Sequence, residues 1–335
     1  MDGNSSNQSP AFSTIVDLLR FRAEKQPDRR SYTFLVDGEK EEEHINYGEL
    51  DRYARMIAAF LQSQGATGQR VLLLYPPGLD YIRAFLGCLY AGATAVPVYP
   101  PRLSRLADRS LPRLLAIAND ACPVFVLTTS SILALAEGFR SLVPGFPAVE
   151  WKATDALDPT LAEAWHDPMV KNDTLAFLQY TSGSTSLPKG VMVSHWNLLQ
   201  NQMLIQHAFG LNQDSIAVCW LPLYHDMGLI GNVLQPLYTG FPCVMMSPLD
   251  FLQKPFRWLD AITRYQATVS GCPNFAYELC MSRITPEQRA TLDLSSWSLA
   301  YTGAEPIREE TIERFSKAFE PYGFRKEAFF PCYGL

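Results

Sequence analysis

Short apolar runs alternate along the chain with segments of helical period. The run at 70–78 (RVLLLYPPG) predicts a buried strand leading into a turn, 79–93 has apolar positions at helical spacing, and 94–101 is a second strand. Helical spacing returns over 104–121, followed by a strand at 123–129 (PVFVLTT) and a helix over 131–142. These strand runs are nearly all apolar rather than alternating, the pattern of a parallel sheet covered on both faces. Strands separated by helices predict right-handed βαβ crossovers.

The second half repeats the style. Strands are expected at 174–181, 215–222, 242–247, 267–272 and 298–304. A helix over 195–210 should stop at Gly210, and another over 306–323 carries Pro306 in its first turn and Gly323 after it. The alternation fades over 150–173, where polar residues and proline intervene. The expected fold is therefore α/β: two packed lobes with mainly parallel sheets flanked by helices, divided near residue 170 into 1–170 and 171–335.

Composition narrows the function. The 335 residues suffice for two lobes. A balance of 28 Lys+Arg against 34 Asp+Glu gives a net charge of −6, which excludes the basic footprint a nucleic-acid partner requires. The densest basic run, 20–30, also holds Glu and Asp and reads as a solvated helix end. Two uncharged stretches, 84–101 and 227–249, are punctuated by Gly and Pro, so neither predicts a membrane span. The N-terminus is polar, without the regions of a signal peptide. The seven cysteines are scattered without metal-ligand spacing, so no protein-held metal is expected; a reducing, cytoplasmic compartment is.

The strongest chemical signal is TSGSTSLPKG at 181–190, expected between a strand and a helix. Glycines let backbone amides approach a ligand, the hydroxyls add donors, and Lys189 adds a mobile positive charge, a set suited to polyphosphate. It is not a P-loop of the GxxxxGK[ST] type, because Gly190 follows the lysine. A second candidate is His225, between Tyr224 and Asp226 in an expected strand-to-helix turn. A lone histidine is ordinarily packed in the core; in this motif it reads as functional. His195 reads as a helix cap, and His44, His166 and His207 as structural or surface residues.

TSGSTSLPKG resembles the phosphate-binding loop of the adenylate-forming superfamily, and three further segments match in order: LPLYHDMGL (221–229), YTGAEPI (301–307) and YGL (333–335). VPVYPPR (96–102), LQYTSGST (178–185), YHDMGLIG (224–231) and PNFAYELC (273–280) resemble the fatty acyl-AMP ligases in particular. The resemblance implies phosphate binding by Thr181, Ser182, Gly183, Ser184, Thr185, Lys189 and Gly190, with Lys189 and His225 as catalytic residues. It places Gly303, Ala304, Glu305, Tyr333 and Gly334 on the adenine. It lines an acyl pocket with Tyr224, His225, Met227, Gly228, Ile230, Gly231, Asn274, Phe275 and Tyr277. Ser186 stands where the superfamily usually has glycine.

The implied activity is ATP- and Mg²⁺-dependent activation of a fatty acid, with transfer to the phosphopantetheine thiol of an acyl carrier protein, feeding polyketide, lipopeptide or related lipid synthesis. An acyl-CoA ligase and a non-catalytic binding module stay open as alternatives. The resemblance further implies a chain truncated before a Mg²⁺-side Glu, a ribose-binding Asp and a mobile lysine-bearing domain. Weak or absent turnover, and a loose end over 329–335, are the corresponding expectations.

Overall fold

The computed structural model describes residues 12–100, 110–135, 138, 143, 145–181 and 188–334. Its strands are β1 (Arg30–Leu35), β2 (Glu42–Asn46), β3 (Arg70–Leu73), β4 (Thr94–Pro97), β5 (Phe125–Thr128), β6 (Glu150–Ala153) and β7 (Leu175–Thr181), then β8 (Lys189–Ser194), β9 (Ala217–Cys219), β10 (Cys243–Met246), β11 (Val269–Cys272), β12 (Leu299–Thr302) and β13 (Phe329–Pro331). They form a six-stranded sheet, β6-β5-β3-β4-β7-β8, and a seven-stranded sheet, β13-β12-β11-β9-β10-β1-β2. All neighbours are parallel except β7 with β8 and β1 with β2. The expected α/β architecture of two mainly parallel sheets is what the chain adopts.

The apolar strand runs have the burial their sequence demands. Val71 and Leu73 of β3 face one hydrophobic cluster while Leu72 and the following Leu74 face another, the period of two that puts successive side chains on opposite faces. The larger cluster is continuous across both sheets: it includes Phe177 from one and Val218, Val244 and Ala300 from the other. Helices begin where short polar side chains can hold free amides. Thr14 with Asp17, Asn46 with Glu49 and Ser194 with Asn197 each form a reciprocal capping box. Gly210, at φ 64°, ends the helix His195–Phe209 as its sequence predicts.

Four sequence expectations need correction. The sheets do not divide at residue 170: β7 and β8, after it, complete the six-stranded sheet, and β1 and β2, before it, complete the seven-stranded one. Strand patterns report burial, not the partner, and β1 pairs with β10 far along the chain. The second correction concerns the helix near 306, which starts at Glu309, so Pro306 lies ahead of it rather than in its first turn. A third is that Phe329–Pro331 is a strand paired with β12, and the Phe329 ring packs on Tyr277 and Phe324, so this stretch is not loose. Finally, the basic run at 20–30 is not wholly solvated. Arg22 is buried and donates to the carbonyls of Leu237 and Tyr238. No helix among the described residues is long and apolar enough to cross a membrane.

In parallel sheets, ligands bind beyond the carboxyl ends of the strands. The expected motifs follow β7, β9, β11, β12 and β13 at those ends.

Candidate functional site

Thr181 is the last residue of β7 and Lys189 the first of β8, and the two are paired across the ladder. The motif is therefore flanked by two antiparallel strands, and a strand rather than a helix follows at Lys189. Ser182, Gly183, Ser184 and Thr185 lie outside the described residues. The base of the hairpin is rigid. Gly190 sits against Tyr180, where a Cβ would come within 2.9 Å of the ring. The Tyr180 hydroxyl donates to Asp120 Oδ2 at 2.5 Å, and Arg113 Nη2 donates to the Tyr180 carbonyl at 3.1 Å. Both partners lie on the helix Leu111–Ala121, which thus braces β7 just before Thr181. Thr181 and Lys189 are both exposed, side by side at the mouth.

His225 follows the turn after β9 and stands immediately before the one-turn helix Asp226–Gly228. It is not core: its side chain is 56% exposed. Nδ1 lies 2.6 Å from Asp226 Oδ1, a contact that needs a proton on Nδ1. The Met227 amide, 3.4 Å from the same nitrogen, instead donates to Asp226 Oδ1 at 2.6 Å. The carboxylate hydrogen bond raises the imidazole pKa, against burial and a nearby Arg113 guanidinium that lower it. The preceding Tyr224 packs edge-on against Tyr99, and its carbonyl accepts from Gln179 Nε2 at 3.4 Å, which ties this turn to β7.

After Gly228 the chain enters a π-helical segment, Leu229–Leu234. Such segments recur at functional sites. A Cβ on Gly228 would meet the Pro222 carbonyl oxygen at 2.1 Å, so the close turn requires glycine. A Cβ on Gly231 would meet nothing within 4 Å. Met227 and Ile230 are half-buried against the core. A narrow apolar cleft opens between the carboxyl ends of β1, β3, β9 and β10, lined by Phe34, Tyr75, Tyr81, Leu223, Tyr224 and Met245 among others. Of the residues expected in an acyl pocket, only Tyr224 lines it.

The turn after β12 holds Gly303, Ala304 and Glu305. Gly303 has Cys332 against it, with a virtual Cβ only 2.6 Å from that carbonyl oxygen. Ala304 adopts φ 65°, a left-handed conformation that costs a non-glycine residue about 1 kcal/mol and must be held by its surroundings. What holds it lies on the helix Asn274–Arg283. Glu305 Oε1 accepts the Phe275 amide at 2.6 Å, and Asn274 Oδ1 accepts the Arg308 amide at 3.0 Å. Asn274 and Phe275, expected at an acyl pocket, thus clasp the turn after β12. Tyr277 is fully buried, its hydroxyl donating to the Tyr301 carbonyl at 3.3 Å, and packs with Trp258 and Phe315. Tyr333 is 88% exposed, and Gly334 follows it, in the segment next to the turn through the parallel pairing of β12 and β13.

His195 does not cap its helix; Ser194 does. The imidazole is 1% exposed, and Nδ1 accepts the Ile15 amide at 3.1 Å. Burial lowers its pKa to about 4. Sequence reasoning also missed Asn232. Its signal is there, since with Gln235 it is one of two carboxamides in the long uncharged stretch, and a buried amide must find partners. Among the described residues no group of three or more His, Cys, Asp or Glu side chains is placed to hold a metal ion.

The family model for AMP-binding enzymes matches residues 19–335. The chain belongs to the AMP-binding enzyme family. Within it, the chain is 50% identical over 327 residues to the medium-chain-fatty-acid–[acyl-carrier-protein] ligase JamA of Moorena producens, covering 97% of this chain and 55% of that protein. It is 37% identical over 333 residues to the long-chain-fatty-acid–AMP ligase FadD26 of Mycobacterium marinum, covering 96% of this chain and 56% of the relative. A solved fatty acyl-adenylate ligase from L. pneumophila, in complex with acyl adenylate and pyrophosphate, superposes with a TM-score of 0.88 at 48% identity, over 96% of this chain and 55% of that one. The chain spans about half the length of the curated relatives it matches.

Proposed function

We propose that this chain carries the nucleotide- and acid-binding part of a fatty acyl-AMP ligase, which uses ATP and Mg²⁺ to activate a fatty acid for an acyl carrier protein in the cytoplasm. The observation that supports it most is that hydrogen bonds join three separate motifs into one unit. Gln179 of the phosphate strand binds the Tyr224 carbonyl, and Asn232, past the His225 turn, binds Tyr301 at the adenine-side turn.

In the proposed reaction a carboxylate oxygen attacks the α-phosphorus of ATP, and the bond to the β-phosphate bridging oxygen breaks. Pyrophosphate leaves with that electron pair. Both reactants are anions, so positioning and charge neutralisation are what a protein must supply. Lys189 and the Thr181 hydroxyl at the hairpin mouth serve the β- and γ-phosphates, with the hydroxyls of Ser182, Ser184 and Thr185. The protonated His225, its Nδ1 anchored on Asp226, supplies positive charge near the carboxylate. Mg²⁺, a hard cation that takes few protein ligands, would supply further neutralisation of the phosphate charge when bound. Met227, Ile230 and Gly231 wall the acyl chain, while Gly303–Glu305 and Tyr333 flank the adenine. The carrier thiol then attacks the acyl carbon, releasing AMP and the thiol proton.

The test measures pyrophosphate release with ATP, Mg²⁺ and saturated acids of graded length, alongside calorimetric binding of a hydrolysis-resistant acyl adenylate analogue. Offering holo-acyl carrier protein and coenzyme A separately then identifies the acceptor. Thioester on the carrier supports the proposal, and acyl-CoA alone replaces it with an acyl-CoA ligase. A chain that shows no analogue binding and no pyrophosphate release overturns it.

A further inference from the structure

The pairing of Asn232 with Tyr301 does more than satisfy two buried groups. Asn232 is 1% exposed and sits in the π-helical segment. Its Nδ2 donates to the Met227 carbonyl at 3.0 Å, five residues back, so the carboxamide closes the Met227–Gly231 wall on itself. The Tyr301 hydroxyl lies 2.8 Å from Nδ2 and 3.0 Å from Oδ1, within reach of both ends of the amide.

Tyr301 has little freedom. Its ring stacks on Phe209, centroids 5.7 Å apart, and Gly271 lies so close that a Cβ there would be 2.4 Å from the ring. Two residues on is Gly303, and three on is Ala304 in its left-handed conformation, held on the far side by Glu305 on the Phe275 amide. Any shift of the wall that moves Asn232 must therefore either break a buried hydrogen bond or move the start of the nucleotide-side turn. Leaving one member of such a buried pair unsatisfied carries its full desolvation penalty, which favours concerted movement.

We propose that Asn232 is a positioning residue that, through Tyr301, couples the Met227–Gly231 wall to the Gly303–Glu305 turn, so that occupancy of the acid side alters nucleotide affinity and the reverse. This rests on the functional reading above. A reciprocal linkage of this kind is read as a ratio of affinities, typically about fivefold or more.

The test is calorimetric titration of the full chain with a hydrolysis-resistant ATP analogue, with and without saturating decanoate. The wild-type affinity should change by at least about fivefold on adding the acid. Tyr301→Phe keeps the stacked ring and removes the hydroxyl, and should bring that ratio below about twofold. If that variant fails to fold, the double variant Asn232→Leu/Tyr301→Phe replaces both side chains of the pair by apolar groups of similar shape and leaves only the Met227 carbonyl without its partner. It should show the same lost ratio. A variant in which both affinities weaken together with the ratio kept would make the pair merely structural and overturn the coupling. A wild-type chain that binds both ligands with a ratio near one also overturns it, leaving the functional reading intact. Binding of neither ligand overturns both.

Discussion

At Lys189 the structure places an exposed ammonium across the ladder from Thr181, at the mouth of a hairpin whose base is fixed by Tyr180, Asp120 and Arg113. Lys189→Ala should therefore remove charge without loosening the hairpin. In a full-length enzyme carrying this change, pyrophosphate release should slow by about 10²-fold or more, about 2.7 kcal/mol, while the melting temperature of this chain stays unchanged. At His225 the prediction concerns pH. The Asp226 carboxylate holds the imidazole pKa above its ordinary value, so the cation persists to higher pH than a free histidine would allow. Asp226→Asn removes that support, and the alkaline limb of the adenylation profile should move to lower pH. An unmoved limb would take His225 out of the chemistry. What the sequence offers about this proposed site is the chemistry of its residue types, because Lys, His and Gly keep theirs wherever the chain puts them. The duties of Asn274 and Glu305 were not readable, because each binds a backbone amide of a distant segment, and the sequence does not say which segments meet.

Among the elements, the π-helical segment and its entry make the sharpest contrast. Gly228 has no room for a methyl, so Gly228→Ala should destabilise by about 1–3 kcal/mol, visible as a lower urea midpoint. Gly231 opens into space, so Gly231→Leu should keep the midpoint and instead shift activity or binding toward shorter acids, by about 0.8 kcal/mol for each displaced CH₂. An unaltered length profile would move the acyl wall elsewhere. The helix His195–Phe209 carries a second kind of test, because buried His195 accepts the first amide of the helix Ile15–Lys25. Its folded pKa of about 4 lies below the unfolded 6.5. The stability it brings is thus fully present above 6.5 and is lost as pH falls toward 4, by about 3 kcal/mol in all. His195→Leu should flatten the urea midpoint between pH 6.5 and 4, at a constant cost from the unsatisfied Ile15 amide. Strands with apolar runs could be read from sequence alone, whereas β8 could not: Val191 and Met192 are exposed on an edge strand, where no buried face imposes a pattern.

For the molecule as a whole, the decisive feature is one hydrophobic cluster shared by both sheets. Unfolding in urea should therefore give coincident transitions by far-ultraviolet circular dichroism and by tryptophan fluorescence, which reports Trp151 in one sheet and Trp258 and Trp297 against the other. Separate midpoints would show that each sheet holds itself. The two-lobe architecture could be read from the alternation of strands and helices. The interleaving could not, since nothing local in β1 announces a partner as distant as β10. That interleaving sets a timetable for synthesis. The six-stranded sheet needs only the residues between Arg70 and Ser194, and can close as soon as they leave the ribosome. The β1–β2 hairpin is made earlier but must wait for Cys243–Met246, about 200 residues later, which at about 5–20 residues per second is roughly 10–40 s of translation. Throughout that interval the first strands to be made stand with one open, hydrophobic edge, so the nascent chain is most exposed to mispairing at its oldest part.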